Sequence, residues 1–215
     1  MNLKLLLLTT CTLGCALLVQ ASPTGLNIMP TADALAPGMS NYQYEFNSEK
    51  ANVGDRGTIV GTQSGLGMGI MEGGVDQISH VGTVYNLKMI LSPGSQESPA
   101  FAVGVQNVGR DAKPQYYLVA SKSLIDLPEA QTRAAFHIGA LLDTDGKSRP
   151  MYGGDLTVGM VVVKLDQVGL ARTGVHTAMS AGLKYGEFTA TVTSYDIYKK
   201  TGNLSYTLGY TYSSQ

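Results

Sequence analysis

The sequence predicts an all-β protein: a single closed antiparallel transmembrane β-barrel of about 12 strands, with 10 as the alternative, after a cleaved signal peptide. Apolar and polar residues alternate with a period of two in one segment after another, which is typical of strands with one apolar face. Beyond residue 21, no run approaches the roughly 18 consecutive apolar residues of a membrane-spanning helix. The 26 glycines and 12 tyrosines suit tight turns and pleated surfaces. Any membrane crossing must therefore use strands, closed into a barrel so that their backbone groups are paired.

The first 21 residues have the three parts of a secretory signal peptide. Lys4 supplies the positive charge, and residues 5–18 form an apolar stretch too short for a membrane anchor. Small residues around Ala21 form the predicted cleavage site, and Pro23 follows it. This arrangement predicts export and removal of the segment.

Three regions follow from this boundary. Residues 1–21 are predicted to be the signal peptide, 22–38 a periplasmic entry segment rich in Pro and Gly, and 39–215 the β-barrel domain. Both cysteines, Cys11 and Cys15, lie in the signal peptide. The mature chain is therefore predicted to have neither disulfides nor thiol chemistry.

The first four strands are predicted from alternation and turn residues. The first spans 39–48, with aromatic residues on one face and amide or acidic residues on the other. Runs at 58–63 and 66–72 form the second and third strands, separated by a Ser-Gly turn at 64–65. The fourth strand spans 80–91 and ends at a loop rich in Ser, Pro and Gly.

Alternating runs predict the other eight strands, at 100–106, 114–122, 133–142, 151–158, 161–167, 174–185, 188–197 and 204–213. In the eleventh of the 12, the apolar phase slips between Val192 and Tyr195, which predicts a β-bulge. An even count fits a single-chain barrel with both termini on one side of the membrane. Merging 58–72 and 151–167 into one strand each gives the alternative of 10. The predicted outer loops are 49–57, 73–79, 109–113, 143–150, 168–172 and 198–202.

Charged residues on the polar strand faces are predicted to line the lumen, because the apolar faces would contact lipid. These lining residues are Glu45, Lys88, Arg133, His137, Asp155, Lys164, Asp166, His176 and Lys184. The favoured interpretation is that these groups pair across the lumen and stabilise it. The alternative is a polar conduit whose mixed charges give little ion selectivity.

No catalytic, cofactor or metal site is predicted, and the chain is expected not to be an enzyme. His137 and His176 lack a serine and an acid at a recognisable spacing. The Asp-Thr-Asp-Gly run at 143–146 lacks the later acidic ligand and flanking helices of a calcium loop, so it predicts a turn. The whole chain has 15 Lys and Arg against 16 Asp and Glu, which does not indicate nucleic-acid binding.

Five short strings stand out along the chain: 25–33 (GLNIMPTAD, followed by Gly38), 71–74 (MEGG), 87–88 (LK), 98–104 (SPAFAVG) and 117–122 (YLVASK). They resemble the sequence landmarks of YjbH-type outer-membrane proteins and of small Gram-negative outer-membrane barrels. The resemblance implies a bacterial β-barrel linked to exopolysaccharide export. The chain is much shorter than the large members of that group.

Together these features predict an outer-membrane protein with a polar lumen and a structural or passive-channel role, and through the resemblance an association with surface exopolysaccharide. The expected partners are outer-membrane lipid, the barrel-assembly machinery and polysaccharide, with no nucleic acid. The alternative is a soluble periplasmic or extracellular barrel, like a lipocalin, that binds an apolar ligand inside. The two differ in polarity, because a lipocalin-like barrel places Leu, Met and Tyr inside and Lys and Glu outside.

The mature protein is predicted to begin at Ser22, because Val19-Gln20-Ala21 is the best cleavage signal. Intact-mass measurement or N-terminal sequencing of the exported protein checks this. An acylated Cys15 at the N-terminus would instead identify a lipoprotein.

Overall fold

The computed structural model describes residues 25–47, 60–78, 82–109, 112–169, 175–197 and 203–213. The predicted signal peptide and the Ser22 cleavage point lie outside these ranges. Twelve antiparallel strands form one closed barrel, as predicted. They are β1 (Met39–Asn47), β2 (Val60–Gly67), β3 (Met71–Ile78), β4 (Gly82–Ser92), β5 (Ala100–Val108), β6 (Gln115–Leu127), β7 (Thr132–Asp143), β8 (Ser148–Val158), β9 (Val161–Val168), β10 (His176–Tyr185), β11 (Phe188–Tyr195) and β12 (Asn203–Ser213).

Each strand pairs with its neighbours in sequence, and the barrel closes where β1 pairs with β12. The register at this closure runs from Met39 opposite Ser213 to Asn47 opposite Ser205. β2 and β3 are separate strands that pair with each other, and so are β8 and β9. The alternative of 10 strands is therefore wrong.

The predicted turn at 64–65 is also wrong, because β2 continues through it to Gly67. The chain reverses at 68–70 instead, where Gly69 has a positive φ of 80° and the Met68 N–H donates to the Met71 carbonyl. The predicted outer loop at 73–79 is accordingly mostly strand β3. In this register Glu72 and Asp76 face inward and are buried. Lys88 forms an ion pair with Glu72, and the Asn86 side chain donates a hydrogen bond to Asp76.

The predicted bulge in β11 is not found, since both of its pairings keep a regular register. The apolar phase slips there because the Tyr195 hydroxyl donates a 2.9 Å hydrogen bond to Glu45. The observed register shifts lie instead in the β4–β5 and β6–β7 pairings.

The barrel has two ends, which we name for what they hold. The termini end holds the start of β1 and the end of β12, with connections at 68–70, 93–99, 128–131, 159–160 and 186–187. The opposite end, here called the loop end, is where β1 ends and β2 begins, and likewise for the pairs β3–β4, β5–β6, β7–β8, β9–β10 and β11–β12. A 3-10 helix at Pro128–Ala130 is the one helix among the described residues, and it is far too short to cross a membrane.

Burial alternates along the strands, with the apolar side chains outside. In β4, Asn86 and Lys88 are buried, whereas Tyr85, Leu87 and Met89 are exposed. The same inversion runs around the wall, where many large apolar side chains face outward. Examples are Leu118, Ile138, Leu156, Leu165, Met179, Leu183, Val192 and Leu208.

One side of the described interior is apolar. Inward residues of β5 to β9 form a buried cluster there: Ala100, Ala102, Tyr117, Val119, Leu141, Met151 and Val168. The other buried inward positions carry mainly charged, amide or hydroxyl groups. The interior therefore offers both apolar surface and polar groups that need partners.

Candidate functional site in the lumen

Residues 25–38, here called the plug, lie inside the barrel. Leu26, Met29, Ala32 and Leu35 are all buried, at a spacing of three residues. The first part of the plug turns back on itself: Gly25 pairs with Pro30, and the Leu26 N–H donates to the Met29 carbonyl. The described part of the predicted entry segment thus places buried residues in the lumen, which the sequence did not predict.

Asp166 on β9 is the main anchor of the plug tip. One of its carboxylate oxygens, Oδ2, accepts the backbone N–H groups of Asn27, Ile28 and Met29 at 3.1, 2.6 and 2.8 Å. Its other oxygen accepts the Asn27 side-chain amide at 2.7 Å. Lys164, two residues earlier, donates to the Gly25 carbonyl at 3.0 Å. Hydrogen bonds to a charged acceptor are the stronger kind, so this carboxylate fixes the turn of the plug.

A buried ion pair holds the middle of the plug. Lys88 Nζ lies 3.1 Å from Glu72 Oε1, and both side chains are almost fully buried. Glu72 Oε2 accepts the Leu35 N–H at 2.8 Å, and Lys88 donates to the Thr31 carbonyl at 3.3 Å. A buried ion pair is stabilising only when its remaining hydrogen-bonding capacity is used, and the plug backbone supplies part of that.

A third set of contacts runs from the plug into the wall. The Ala32 N–H donates to Ser121 Oγ at 2.7 Å, and Ser121 Oγ lies 2.7 Å from His137 Nδ1. His137 Nε2 lies 2.8 Å from Asp155 Oδ1. A neutral His137 with its proton on Nε2 satisfies all of these bonds, since Ser121 then donates to Nδ1.

Arg133 returns this chain of contacts to the plug. Its guanidinium lies 3.6 Å from Asp155 and donates to the plug residue Asp33 at 2.8 Å. The Arg133 and Asp33 side chains are about two-fifths exposed, so this end of the chain reaches solvent. This chain of contacts therefore starts at Ala32 of the plug and ends at Asp33, the next plug residue.

Ser121, His137 and Asp155 have the composition of a hydrolase triad. In this structure Ser121 Oγ accepts the plug's Ala32 N–H, and His137 is fully buried. A nucleophile needs a free approach to a substrate carbonyl, and the plug occupies that side of Ser121. The three residues thus position the plug. Among the described residues no cluster of His, Cys, Asp and Glu could hold a metal ion.

Two glycines of the wall make room for the plug. A Cβ atom on Gly67 would overlap the Leu35 and Ala36 carbonyl groups, and one on Gly153 would overlap the Leu26 side chain. Leu26, Met29 and Ala32 also complete the apolar cluster of β5 to β9. The wall is therefore shaped to fit the plug as well as bonded to it.

A small cavity lies beside the tip of the plug. A cavity of about 10 Å³ lies between residues 25–30 and the wall residues Asp76, Asn86, Gln106 and Asn107. This volume holds about one water molecule. A larger cavity of about 480 Å³ is lined by residues of β7 to β10, among them the inward Asp155 and Asp166.

The predicted lining residues fall into three groups. Lys88, Arg133, His137, Asp155, Lys164 and Asp166 surround the plug. Glu45 is buried away from these contacts, against Tyr195 and Ser205. His176 is half-exposed and lies 3.6 Å from Asp196, and Lys184 is exposed near the termini end.

The sequence reasoning missed Glu72, Asp76, Ser121 and the plug itself. Glu72 and Asp76 were missed because the predicted position of β3 was wrong. Ser121 was missed because serine is too common a residue type to stand out. The plug does carry a signal, because Leu26, Met29, Ala32 and Leu35 recur every third residue. That spacing differs from the period of two of a strand, so the alternation that predicts the barrel does not reveal it.

No protein-family model matches this sequence, and no curated protein sequence matches it either.

We expect His137→Gln to lower the free energy of unfolding by about 1–3 kcal/mol, because glutamine cannot keep both buried hydrogen bonds. His176→Gln, at a half-exposed position, should change it by no more than about 0.5 kcal/mol. Urea unfolding of the refolded barrel in detergent measures both. Equal midpoints for the two variants would contradict a positioning role for His137.

Gly67→Ala should destabilise the protein by about 1–3 kcal/mol, because the added methyl group overlaps the plug backbone. Gly209→Ala is the matched control, since every neighbour of its added Cβ atom lies at least 3.5 Å away. The same unfolding measurement compares them. Equal stability of the two variants would show that the plug does not lie against Gly67.

Proposed function

We propose that this protein is an outer-membrane β-barrel with a structural role in the cell envelope, whose lumen is a passive pathway closed by its own plug. The observation that carries the proposal is the inverted burial of the barrel. Lys88 and Glu72 are almost completely buried inside, while Leu208 and Met179 are about half-exposed outside.

The apolar outer wall favours lipid as its surroundings. Burying apolar surface stabilises a protein by about 25 cal/mol per Å², so a wall of exposed Leu, Met, Val and Tyr side chains is costly in water. Monomeric soluble proteins rarely expose apolar patches larger than a few hundred Å². The strands, 8 to 13 residues long, are near the roughly 9–11 residues of a tilted membrane-spanning strand.

Aromatic residues lie at both ends of the outer wall, where membrane barrels carry their interfacial belts. At the termini end, Tyr185 pairs with Phe188, whose ring lies 4.8 Å from that of Tyr210. At the loop end, the Phe46 and Tyr206 rings stack at 5.4 Å. Tyrosine supplies most of these rings, which suits a chain without tryptophan.

The lipocalin-like alternative has less support. Such a barrel needs an apolar cavity inside and a polar surface outside. In the part of the chain that the structure describes, the apolar inner cluster contacts the plug, and the large apolar side chains of the strands face outward. The membrane barrel therefore accounts for more of what is observed.

The resemblance to YjbH-type proteins adds surface polysaccharide to the proposal. The strings that carry it include the plug residues 25–33 and the plug anchors Glu72, Lys88 and Ser121. A gene deletion that leaves secreted polysaccharide unchanged in amount and length would remove this part of the proposal.

Single cysteines at Met179 and Leu208 should react with a fluorophore that a lipid-confined quencher then reaches. Cysteines at the inward neighbours Ser180 and Thr207 should escape quenching, because alternate residues face opposite sides of the wall. Fluorescence of the labelled protein in membranes measures this, and the mature chain has no other cysteine if cleavage follows Ala21. Equal quenching at all four positions, or recovery of the protein only in the soluble fraction, would refute the membrane barrel.

A further inference from the structure

We propose that the plug is removable, and that the barrel without it conducts small cations in preference to anions. This inference rests on the proposed membrane-barrel function and names the solute class of its pathway. Three features of the lumen carry it: how the plug is held, how much space it takes, and which charges it covers.

The plug is held by wall side chains and not by a β-ladder. Two described backbone bonds join plug and wall, both at its base: the Gly38 N–H donates to the Gly67 carbonyl at 3.3 Å, and the Met39 N–H donates to the Ala36 carbonyl at 3.0 Å. The other bonds come from Glu72, Lys88, Ser121 and the other side-chain anchors. The 12-strand ladder is complete without the plug, since β1 pairs with β12 directly. The plug can therefore leave while the barrel stays closed.

The size of the plug indicates how wide the lumen is. At its tip the chain passes twice, because Gly25 lies opposite Pro30. Paired chains lie about 4.8 Å apart, so two passes with their side chains need a lumen on the order of 10 Å wide. A 12-stranded barrel lies between the filled 8-stranded and the open 16-stranded classes, which agrees with this width. Hydrated monovalent ions fit such a passage.

The inward face of the wall has more acidic than basic groups. The buried or half-buried strand acids that point inward are Glu45, Glu72, Asp76, Asp143, Asp155 and Asp166, and the corresponding bases are Lys88, Arg133, Arg149 and Lys164. Plug N–H groups now bond Asp166 and Glu72, and the only charge of the plug, Asp33, leaves with it. Acidic linings favour cations, so the emptied passage should select for them.

The resting state is closed, because Leu26 and Met29 cover the apolar cluster of β5 to β9. Removing the plug exposes that cluster to water. Any condition that weakens apolar contacts should therefore favour the open state.

The test uses the full mature chain in planar lipid bilayers with a tenfold KCl gradient. Urea, added below the concentration that unfolds the barrel, should raise the conductance reversibly and move the reversal potential toward the K⁺ equilibrium potential. Leu26→Asn with Met29→Asn should open at lower urea, because the wall is unchanged and the apolar contacts are weakened. If that variant does not fold, the wild-type urea response still decides the question.

A disulfide lock provides the second arm. Ala32→Cys with Ser121→Cys places thiols where the Ala32 N–H and Ser121 Oγ are 2.7 Å apart. The oxidised double variant should stay closed in urea and open after reduction. The single variant Ala32→Cys should show the same conductance with and without the oxidant. Equal conductance of the oxidised and reduced double variant would overturn the removable plug.

Selectivity is tested apart from opening. Glu45 bonds Tyr195 and Ser205 on the wall, so Glu45→Gln removes one lining charge without altering a plug anchor. Its reversal potential in urea should shift toward zero. An anion-selective passage, or no conductance while the four cysteines still show the expected lipid quenching, would refute this inference and leave the membrane barrel intact. Loss of the quenching pattern would refute the membrane barrel itself.

Discussion

Carboxylates that are buried inside a barrel need hydrogen-bond donors, and the arrangement of this lumen depends on meeting that need. Among the described residues, backbone N–H groups of the plug bond both Asp166 and Glu72. The cost of an unsatisfied buried charge is several kcal/mol, which makes the plug part of the barrel's own stability. An interior this wide is also not filled by wall side chains alone. The plug thus both bonds the buried carboxylates and occupies part of the interior.

The period of two was enough to predict the number of strands and most of their positions. It failed in residues 64–74, because five glycines in that stretch carry no side chain to mark a face. The period of two also led to the wrong prediction of a bulge before Tyr195, which faces inward and donates a hydrogen bond to Glu45. An aromatic residue with a hydroxyl group suits either face, so its phase is ambiguous.

The charged residues of the site were identifiable, but their partners were not. A charged residue on the polar face of a strand must point into the lumen. This rule identified Lys88, Asp155 and Asp166 as lining residues. Their bonds join residues far apart in sequence, such as Asn27 and Asp166, 139 positions apart. No local pattern encodes such a contact. Ser121 and His137 meet only because β6 and β7 pair in one particular register.

The plug lies at the start of the described chain, whereas its main anchor, Asp166, lies on the ninth strand. Chains are synthesised from the N-terminus, so the plug is made long before most of the wall. The buried contacts of the plug with β5 to β9 form only where those strands surround it. The simpler order is that the sheet curls around the segment and the seam between the first and last strands joins last. Biogenesis would then resemble wrapping a cargo, with the N-terminal segment acting as the template on which the wall closes.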